Sequence, residues 1–445
     1  MRRTSLLGTV LSVSAAGVLW SSGATAQTQP WLEDRRYTEG RGIQVGDFEL
    51  HPGVAAEFGY DSNFFLRSDE EDPVGALRLR ITPSFSISSL GPQRRADGAT
   101  PDYRLRAGIH ATYDEFFPVS GEEAGQDAMA DQRNLTGRLD ASVDILPGKP
   151  VFGSLRGGFT RTLNPTNVGD PTRSFNRLIP TAGAEIGFAP GGGLFDWRFG
   201  YQFTGVFFES SDYSNLSNLN HELSTRGRWR FLPRSAITFD GRFGFLSFPD
   251  GTQKTSSHPM RARLGYNGLI TPSFSLLAMA GWGASFYEPA GQEDFDSVIG
   301  QLELKWFITP SPSEDPAAAT LALSSLALGF TRDFVDAYIG TYLEQNRGYL
   351  KFSHFFAQRF LLVADAGAAA VVFPDIPQPA QASFTAARVD ATLFGEYRFT
   401  DYFGLNATLR YDHFITDVDL GGVVGGFDAL QYQVFQALLG ARFLL

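Results

Sequence analysis

Residues 383–414 read SFTAARVDATLFGEYRFTDYFGLNATLRYDHF, and this stretch decides the fold class. From Ala387 to Phe399 the odd positions are apolar, whereas the even positions are mostly polar. This period-two alternation predicts a β-strand with one dry face and one wet face. After the turn Thr400-Asp401 the alternation resumes, which predicts an antiparallel hairpin. Aromatic residues near the ends of the dry face and paired charges on the wet face are typical of a transmembrane barrel strand.

The same pattern recurs along the chain and predicts an all-β protein, a transmembrane antiparallel barrel of about eighteen strands. Short connections alternate with longer ones, as periplasmic turns alternate with extracellular loops. The connections 91–102 and 309–316 are long for periplasmic turns, so sixteen strands is the alternative. The predicted strands are 47–60, 75–90, 103–116, 133–146, 150–163, 177–189, 194–209, 218–232, 235–248, 259–270, 273–287, 296–308, 317–332, 342–356, 359–373, 384–399, 402–416 and 429–445.

Composition and the N-terminus agree with an exported barrel. The longest weakly polar runs beyond the N-terminus, 321–330 and 364–374, are shorter than the roughly 20 residues of a membrane-spanning helix. Two arginines, an apolar core and the site Ala24-Thr25-Ala26 predict a secretory signal peptide over residues 1–26. We expect a short periplasmic tail over residues 27–46 and the outer-membrane barrel over residues 47–445. The chain has no cysteine, so no disulfide and no acylated-cysteine anchor are expected.

The face that points into the lumen is rich in arginine. Inward acids, such as Asp240 and Asp390, are fewer, and many acids lie in predicted loops, as in residues 69–72. The interior of this net-negative chain is therefore expected to carry net positive charge. The candidate solute path consists of Arg78, Arg80, Arg104, Arg106, Arg138, Arg198, Arg226, Arg228, Arg230, Arg261, Arg263, Arg388 and Arg410.

Two interpretations of this wall stay open. Guanidinium groups bind carboxylate and phosphate, so the wall could guide anionic solutes. Alternatively, arginine–carboxylate ladders could hold the barrel in shape, because acids interleave on the same strands. The set that is hardest to neutralise locally, and therefore the leading candidate, lies on strands that are near neighbours and consists of Arg226, Arg228, Arg230, Arg261 and Arg263.

Other kinds of site have little support in the sequence. No two of the six histidines stand at metal-ligand spacing, which favours no metal site. No G-x-S-x-G motif appears, so we expect no enzyme, although a cross-strand Ser/His/Asp cluster would show only in a structure. No cofactor and no nucleic-acid partner are expected. The glycine-rich residues 421–427 predict an external loop, or else an inward-folded plug.

The first predicted strand and its exit carry a family resemblance. PGVAAEFGYDSNFF, residues 52–65, resembles the opening of the β-barrel porin family often called outer-membrane β-barrel type two, in which a strand ends in Tyr-Asp-Asx-Asn and an aromatic residue. Here Ser62 stands in the Asx position. Residues 160–167 and 177–188 fit the family more loosely. The resemblance implies an eighteen-stranded barrel and an association with exopolysaccharide or capsule export.

Three functions follow as hypotheses. The leading one is an outer-membrane conduit for an acidic exopolysaccharide or other anionic solute, with outer-membrane lipid around it and periplasmic export proteins as partners. The second is a general porin for anions or small solutes. The third is a closed structural or adhesive barrel in which the arginine–carboxylate pairs are scaffolding and the acidic loops are the working surface.

Overall fold

The computed structural model describes residues 42–90, 101–130, 132–163, 176–250, 254–288, 292–309, 324–337, 340–356, 359–376, 381–418 and 430–445. Within these ranges, nineteen strands form one antiparallel sheet, and β2 to β19 close into an eighteen-stranded barrel because β19 pairs with β2. The strands are Ile43–Val45 (β1), Phe48–Asp61 (β2), Ala76–Ser89 (β3), Tyr103–Pro118 (β4), Asn134–Ile145 (β5), Val151–Leu163 (β6), Asn176–Phe188 (β7), Phe195–Phe208 (β8), Asn218–Leu232 (β9), Ser235–Ser247 (β10), Ser257–Thr271 (β11), Phe274–Tyr287 (β12), Phe295–Thr309 (β13), Ser324–Asp336 (β14), Tyr342–Phe356 (β15), Phe360–Phe373 (β16), Phe384–Arg398 (β17), Phe403–Ile415 (β18) and Tyr432–Leu444 (β19).

The predicted eighteen-stranded barrel is confirmed, and the alternative of sixteen strands is wrong. The predicted strand 317–332 overlaps β14, which ends four residues later, at Asp336, and residues 317–323 lie outside the described residues. The charge of Asp333 resembled the start of a loop, whereas this aspartate lies inside the strand.

The barrel exterior is apolar. Large side chains at alternate positions, such as Phe58, Leu264 and Leu328, remain highly exposed because they face away from the lumen. Aromatic residues near the strand ends, such as Trp229 and Phe403, are exposed on the same face. A closed ladder satisfies the backbone between neighbouring strands, so this surface can face hydrocarbon.

The chain enters the barrel through a short extra strand. β1 pairs with the start of β2, from Ile43 opposite Leu50 to Val45 opposite Phe48. Thus the last residues of the predicted tail extend the sheet at its periplasmic end. The predicted signal peptide, most of the tail and the glycine-rich residues 421–427 lie outside the described residues.

The Tyr-Asp-Ser-Asn segment joins the first barrel strand to the last at the extracellular rim. The Ser62 backbone N–H donates to the Phe435 carbonyl at 2.9 Å, and the Phe435 N–H donates to the Ser62 hydroxyl at 2.8 Å. Asn63 is buried, and its amide donates to the carbonyls of Gln433 at 3.0 Å and Arg67 at 2.7 Å. The segment therefore seals the seam where the barrel closes.

We expect Asn63→Ala to lower the free energy of opening this seam by about 1–3 kcal/mol, because two buried carbonyls lose their hydrogen-bond donor. The backbone amides at the start of β19 should then exchange with deuterium faster than in the unchanged protein. Asn218→Ala is the matched control, since within the described ranges the Asn218 amide donates to the nearby Leu216 carbonyl and to no other strand. Equal exchange in both variants would contradict the proposed sealing role.

An apolar cluster covers one side of the extracellular mouth. The β2–β3 connection contributes Phe64 and Val74, and the helix Glu123–Ala130 (α1) contributes Met129. These side chains pack on Phe116 and Phe208 near the ends of β4 and β8. The connections on this side therefore fold over the lumen and narrow its entrance.

Candidate functional site: the lumen wall

All thirteen arginines of the predicted solute path point into the barrel. Each alternates along its strand with lipid-facing apolar residues, as Arg388 does with the exposed Val389 and Arg228 with the exposed Trp229. Period-two alternation places the intervening side chains on the opposite face. The structure separates these arginines into groups with very different surroundings.

The wall around the barrel seam is a buried ion-pair network. Arg78 and Arg80 share the carboxylate of Asp114, with Nε–Oδ1 distances of 2.8 and 3.1 Å. Arg80 also reaches Glu57 at 3.3 Å. All four side chains are at most 5% exposed. Because each charge is already paired and covered, this group is a scaffold and offers little surface to a solute.

Two further ion-pair groups, one half-buried and one buried, lie near this network. Arg388 and Asp412 form a two-point pair between β17 and β18, with an Nε–Oδ1 distance of 2.9 Å. The fully buried carboxylate of Glu396 lies between Arg398, at 2.7 Å, and Arg442. Arg410 is within electrostatic reach of both Arg78 and Asp412. The Arg388–Asp412 pair joins neighbouring strands, whereas Glu396 meets Arg398 on its own strand and Arg442 of β19, two strands away.

The leading set of five, predicted to be the hardest to neutralise locally, has carboxylate partners at four of its members. Arg226 pairs with Glu185, and Arg228 lies 3.4 Å from Asp196. A separate group on β10, β11 and β14 neutralises the other two. The distances there are 2.9 Å for Arg261–Asp333, 3.1 Å for Arg263–Asp240 and 3.8 Å for Arg263–Asp333. Among the described residues Arg230 forms no ion pair.

The most available cations lie on β4, β5 and β6. Arg106, Arg138 and Arg156, which we call the arginine shelf, are all exposed to the lumen. Arg138 is 58% exposed and 3.5 Å from Asp140, and Arg156 is 48% exposed and 3.9 Å from Glu185. Within the described part of the chain, Arg106 has no carboxylate within ion-pair distance.

The strand register brings the shelf together. Arg106 of β4 lies opposite Ser142 of β5, and Ser142 lies opposite Arg156 of β6. Arg138 projects from the same face of β5, farther along the strand. Arg104, on the same face of β4, lies opposite Asp144. The shelf is therefore a solvent-accessible cationic surface whose ion pairs are long, at 3.5 and 3.9 Å.

Sequence reasoning missed several lumen acids. Glu57 and Asp114 alternate with the exposed Phe58 and Tyr113, so the period-two rule could have placed both inside. Asp333 lies just beyond the predicted end of its strand at residue 332. Arg156 is not among the thirteen candidates, because sequence alone does not show how exposed a side chain is.

Two other kinds of feature, a metal site and a membrane-spanning helix, are absent from the described residues. No group of three or more His, Asp or Glu side chains in these ranges could hold a metal ion. No helix within them is long and apolar enough to cross a membrane.

Comparison with known proteins gives likenesses of fold. No family model and no curated protein matches the chain. The chain is similar to OccK9 (OpdG) of Pseudomonas aeruginosa, with 12% identity, a TM-score of 0.49 and coverage of 90% of this chain and 100% of that one. OccAB3 of Acinetobacter baumannii shows 10% identity, a TM-score of 0.48 and coverage of 90% and 100%. A bacterial polysaccharide outer membrane secretin shows 11% identity, a TM-score of 0.36 and coverage of 90% of this chain and 99% of that one.

At these values the likenesses assign neither cargo nor partners to this chain. The chain's own closed ladder and apolar, aromatic-rimmed exterior place it in the bacterial outer membrane.

Proposed function

We propose that this chain is an outer-membrane channel for anionic solutes, and that an acidic exopolysaccharide is its cargo. The observation that carries the proposal is the arginine shelf, where exposed guanidinium groups outnumber their acids. Ion pairs that only maintain shape do not need exposed cations, whereas a solute path does.

The proposed mechanism is electrostatic. An anion entering from the periplasm exchanges part of its hydration for contact with Arg106 and Arg156 and then with Arg138. Guanidinium groups suit carboxylates because they can donate two parallel hydrogen bonds. Asp140 and Asp144 lie on the strand between β4 and β6, and their negative charge keeps binding weak enough for release.

A closed structural barrel is the second candidate, favoured by the apolar cluster over the mouth. Phe64 and Met129 are at most 2% exposed, so the entrance on that side is tightly packed. If these connections block the lumen completely, the buried ion pairs are scaffolding and the extracellular loops are the working surface.

The test is planar-bilayer conductance with reversal potentials measured across a salt gradient. We expect steady conductance with preference for the anion, because the exposed lumen charge is positive. Absence of conductance would favour the closed barrel. Conductance without anion preference would mean that the arginine shelf does not act on solutes.

A second experiment tests the cargo. Deletion of the gene should abolish an acidic surface polymer, and the unchanged gene supplied from a plasmid should restore it. Normal polymer levels in the deletion strain, with anion-selective conductance of the purified protein, would favour a small-solute porin. Co-purification from cross-linked cells would identify the periplasmic export proteins that we propose as partners.

A further inference from the structure

The upper ends of β14 and β15 lean into the lumen. Pairing between β13 and β14 ends at Gly300 opposite Arg332, although both strands continue. Above this point β14 pairs only with β15, up to Asp336 opposite Tyr342. Residues 333–337 and 340–342, which we call the strap, therefore leave the barrel wall on the β13 side.

Arg261, an arginine of β11 that faces the lumen, contacts the strap from three strands away. Its guanidinium donates to the Asp333 carboxylate at 2.9 Å and to the Phe334 carbonyl. The same guanidinium lies 4.1 Å from the centre of the Phe334 ring. Three strand spacings, about 14 Å along the wall, separate β11 from β14. The contacts thus require β14 to lean inward.

The contacts of Arg261 form a first latch on the strap, and the contacts of Lys254 form a second one above it. Lys254, from the β10–β11 connection, is 6% exposed and donates to the carbonyls of Ala337 and, at 2.8 Å, Gly340. Its ammonium is 3.7 Å from Asp336, and burial lowers the pKa of Lys254. The Tyr287 hydroxyl adds a bond of 3.1 Å to the Thr341 carbonyl. Both latches fix the strap over the mouth.

We propose that Asp333 occupies the place of a solute carboxylate on Arg261 and Arg263, so that an anionic solute releases the strap. The inference rests on the proposed channel function. Asp333 is the accessible member of the group, with 37% of its side chain exposed, whereas Arg261 and Arg263 are 10% and 15% exposed.

The geometry makes exchange with a solute feasible. The contact of Asp333 with Arg263 is loose, at 3.8 Å, and Arg263 retains Asp240 at 3.1 Å if Asp333 leaves. A carboxylate or phosphate arriving through the lumen can accept the same N–H donors. Once it does so, the strap keeps the Lys254 latch, the hydrogen bonds near Thr341 and the packing of Phe334 on Phe295 and Ile299 of β13. Cargo of the correct charge therefore weakens the constriction that it must pass.

The test compares the unchanged protein with Asp333→Asn in planar bilayers, using sodium glucuronate as the anionic probe and glucose as the neutral one. In the unchanged protein glucuronate should raise the occupancy of a larger conductance state, in which the strap is released. The increase should be roughly five-fold, because losing one weak ion pair shifts the equilibrium by about that factor. Glucose should leave it unchanged. Asp333→Asn should occupy the larger state without any probe. Asp417→Asn is the matched control, an exposed aspartate beyond β18.

Deuterium exchange separates this proposal from the channel function. Exchange over residues 340–346 should rise in Asp333→Asn and, with glucuronate, in the unchanged protein, whether or not the protein conducts. Absence of conductance with increased exchange would overturn the channel and leave carboxylate binding at the strap supported. An equal response to glucuronate in Asp333→Asn and the unchanged protein would overturn the strap proposal.

Discussion

Replacement of Arg106, Arg138 and Arg156 together by serine should lower the anion-to-cation permeability ratio roughly five- to ten-fold. A charge about 4 Å from a passing ion in water contributes on the order of 1 kcal/mol, and three exposed charges act along one path. The shelf arginines have weak local carboxylate contacts, so their loss changes the field in the lumen directly. Reversal potentials in a salt gradient measure the effect.

The matched control replaces the same three residues by lysine. It keeps the charge and changes the donor geometry, so anion preference should persist while preference among carboxylates changes. An unchanged permeability ratio in the serine variant would show that the shelf does not select ions, and the scaffold interpretation would then extend to the whole wall.

Two arginines of the leading set from the sequence analysis provide a contrast with the arginine shelf. Serine at Arg226 and Arg228 should also reduce anion preference, but for another reason, because Glu185 and Asp196 would lose a cationic partner each. Removal of the acid with its arginine, as in Arg228→Ser with Asp196→Ser, should restore much of the preference. For the shelf, the corresponding change is Arg138→Ser with Asp140→Ser, because these two side chains lie 3.5 Å apart on β5.

Glu396→Gln should destabilise the barrel by about 3–5 kcal/mol, the usual cost of breaking a buried ion pair. Glu396 is 0% exposed, and its carboxylate lies between Arg398 and Arg442. A neutral amide would leave two guanidinium groups close together with less compensating charge. The urea midpoint of the folded barrel in detergent micelles measures the loss.

The corresponding control is Glu288→Gln, which makes the same chemical change at a side chain that is 71% exposed. Its midpoint should stay within experimental error of the unchanged protein. The double variant Glu396→Gln with Arg442→Met should recover part of the lost stability, because one excess cation is gone. A single variant as stable as the control would show that the Glu396 cluster is not a structural element.

The barrel architecture follows from local alternation in the sequence. Alternation from Ala387 to Phe399 and its repeats depends only on neighbouring residues, because a strand places successive side chains on opposite faces. It therefore predicts which arginines face the lumen and gives the observed bounds of β9 and β15, whose ends turn signals mark. The end of β14 is an exception, because the charged Asp333 predicts a loop but lies inside the strand.

Which of those arginines can meet a solute depends instead on contacts between distant parts of the chain. Pairing of Arg261 with Asp333 joins residues 72 positions apart on strands that are not neighbours, and Arg78 meets Asp114 across 36 positions. Such contacts depend on strand register and on the inward lean of the strap, neither of which local alternation specifies. Exposure of Arg106 and Arg156 is a property of the whole wall, because it depends on what every neighbouring strand places beside them.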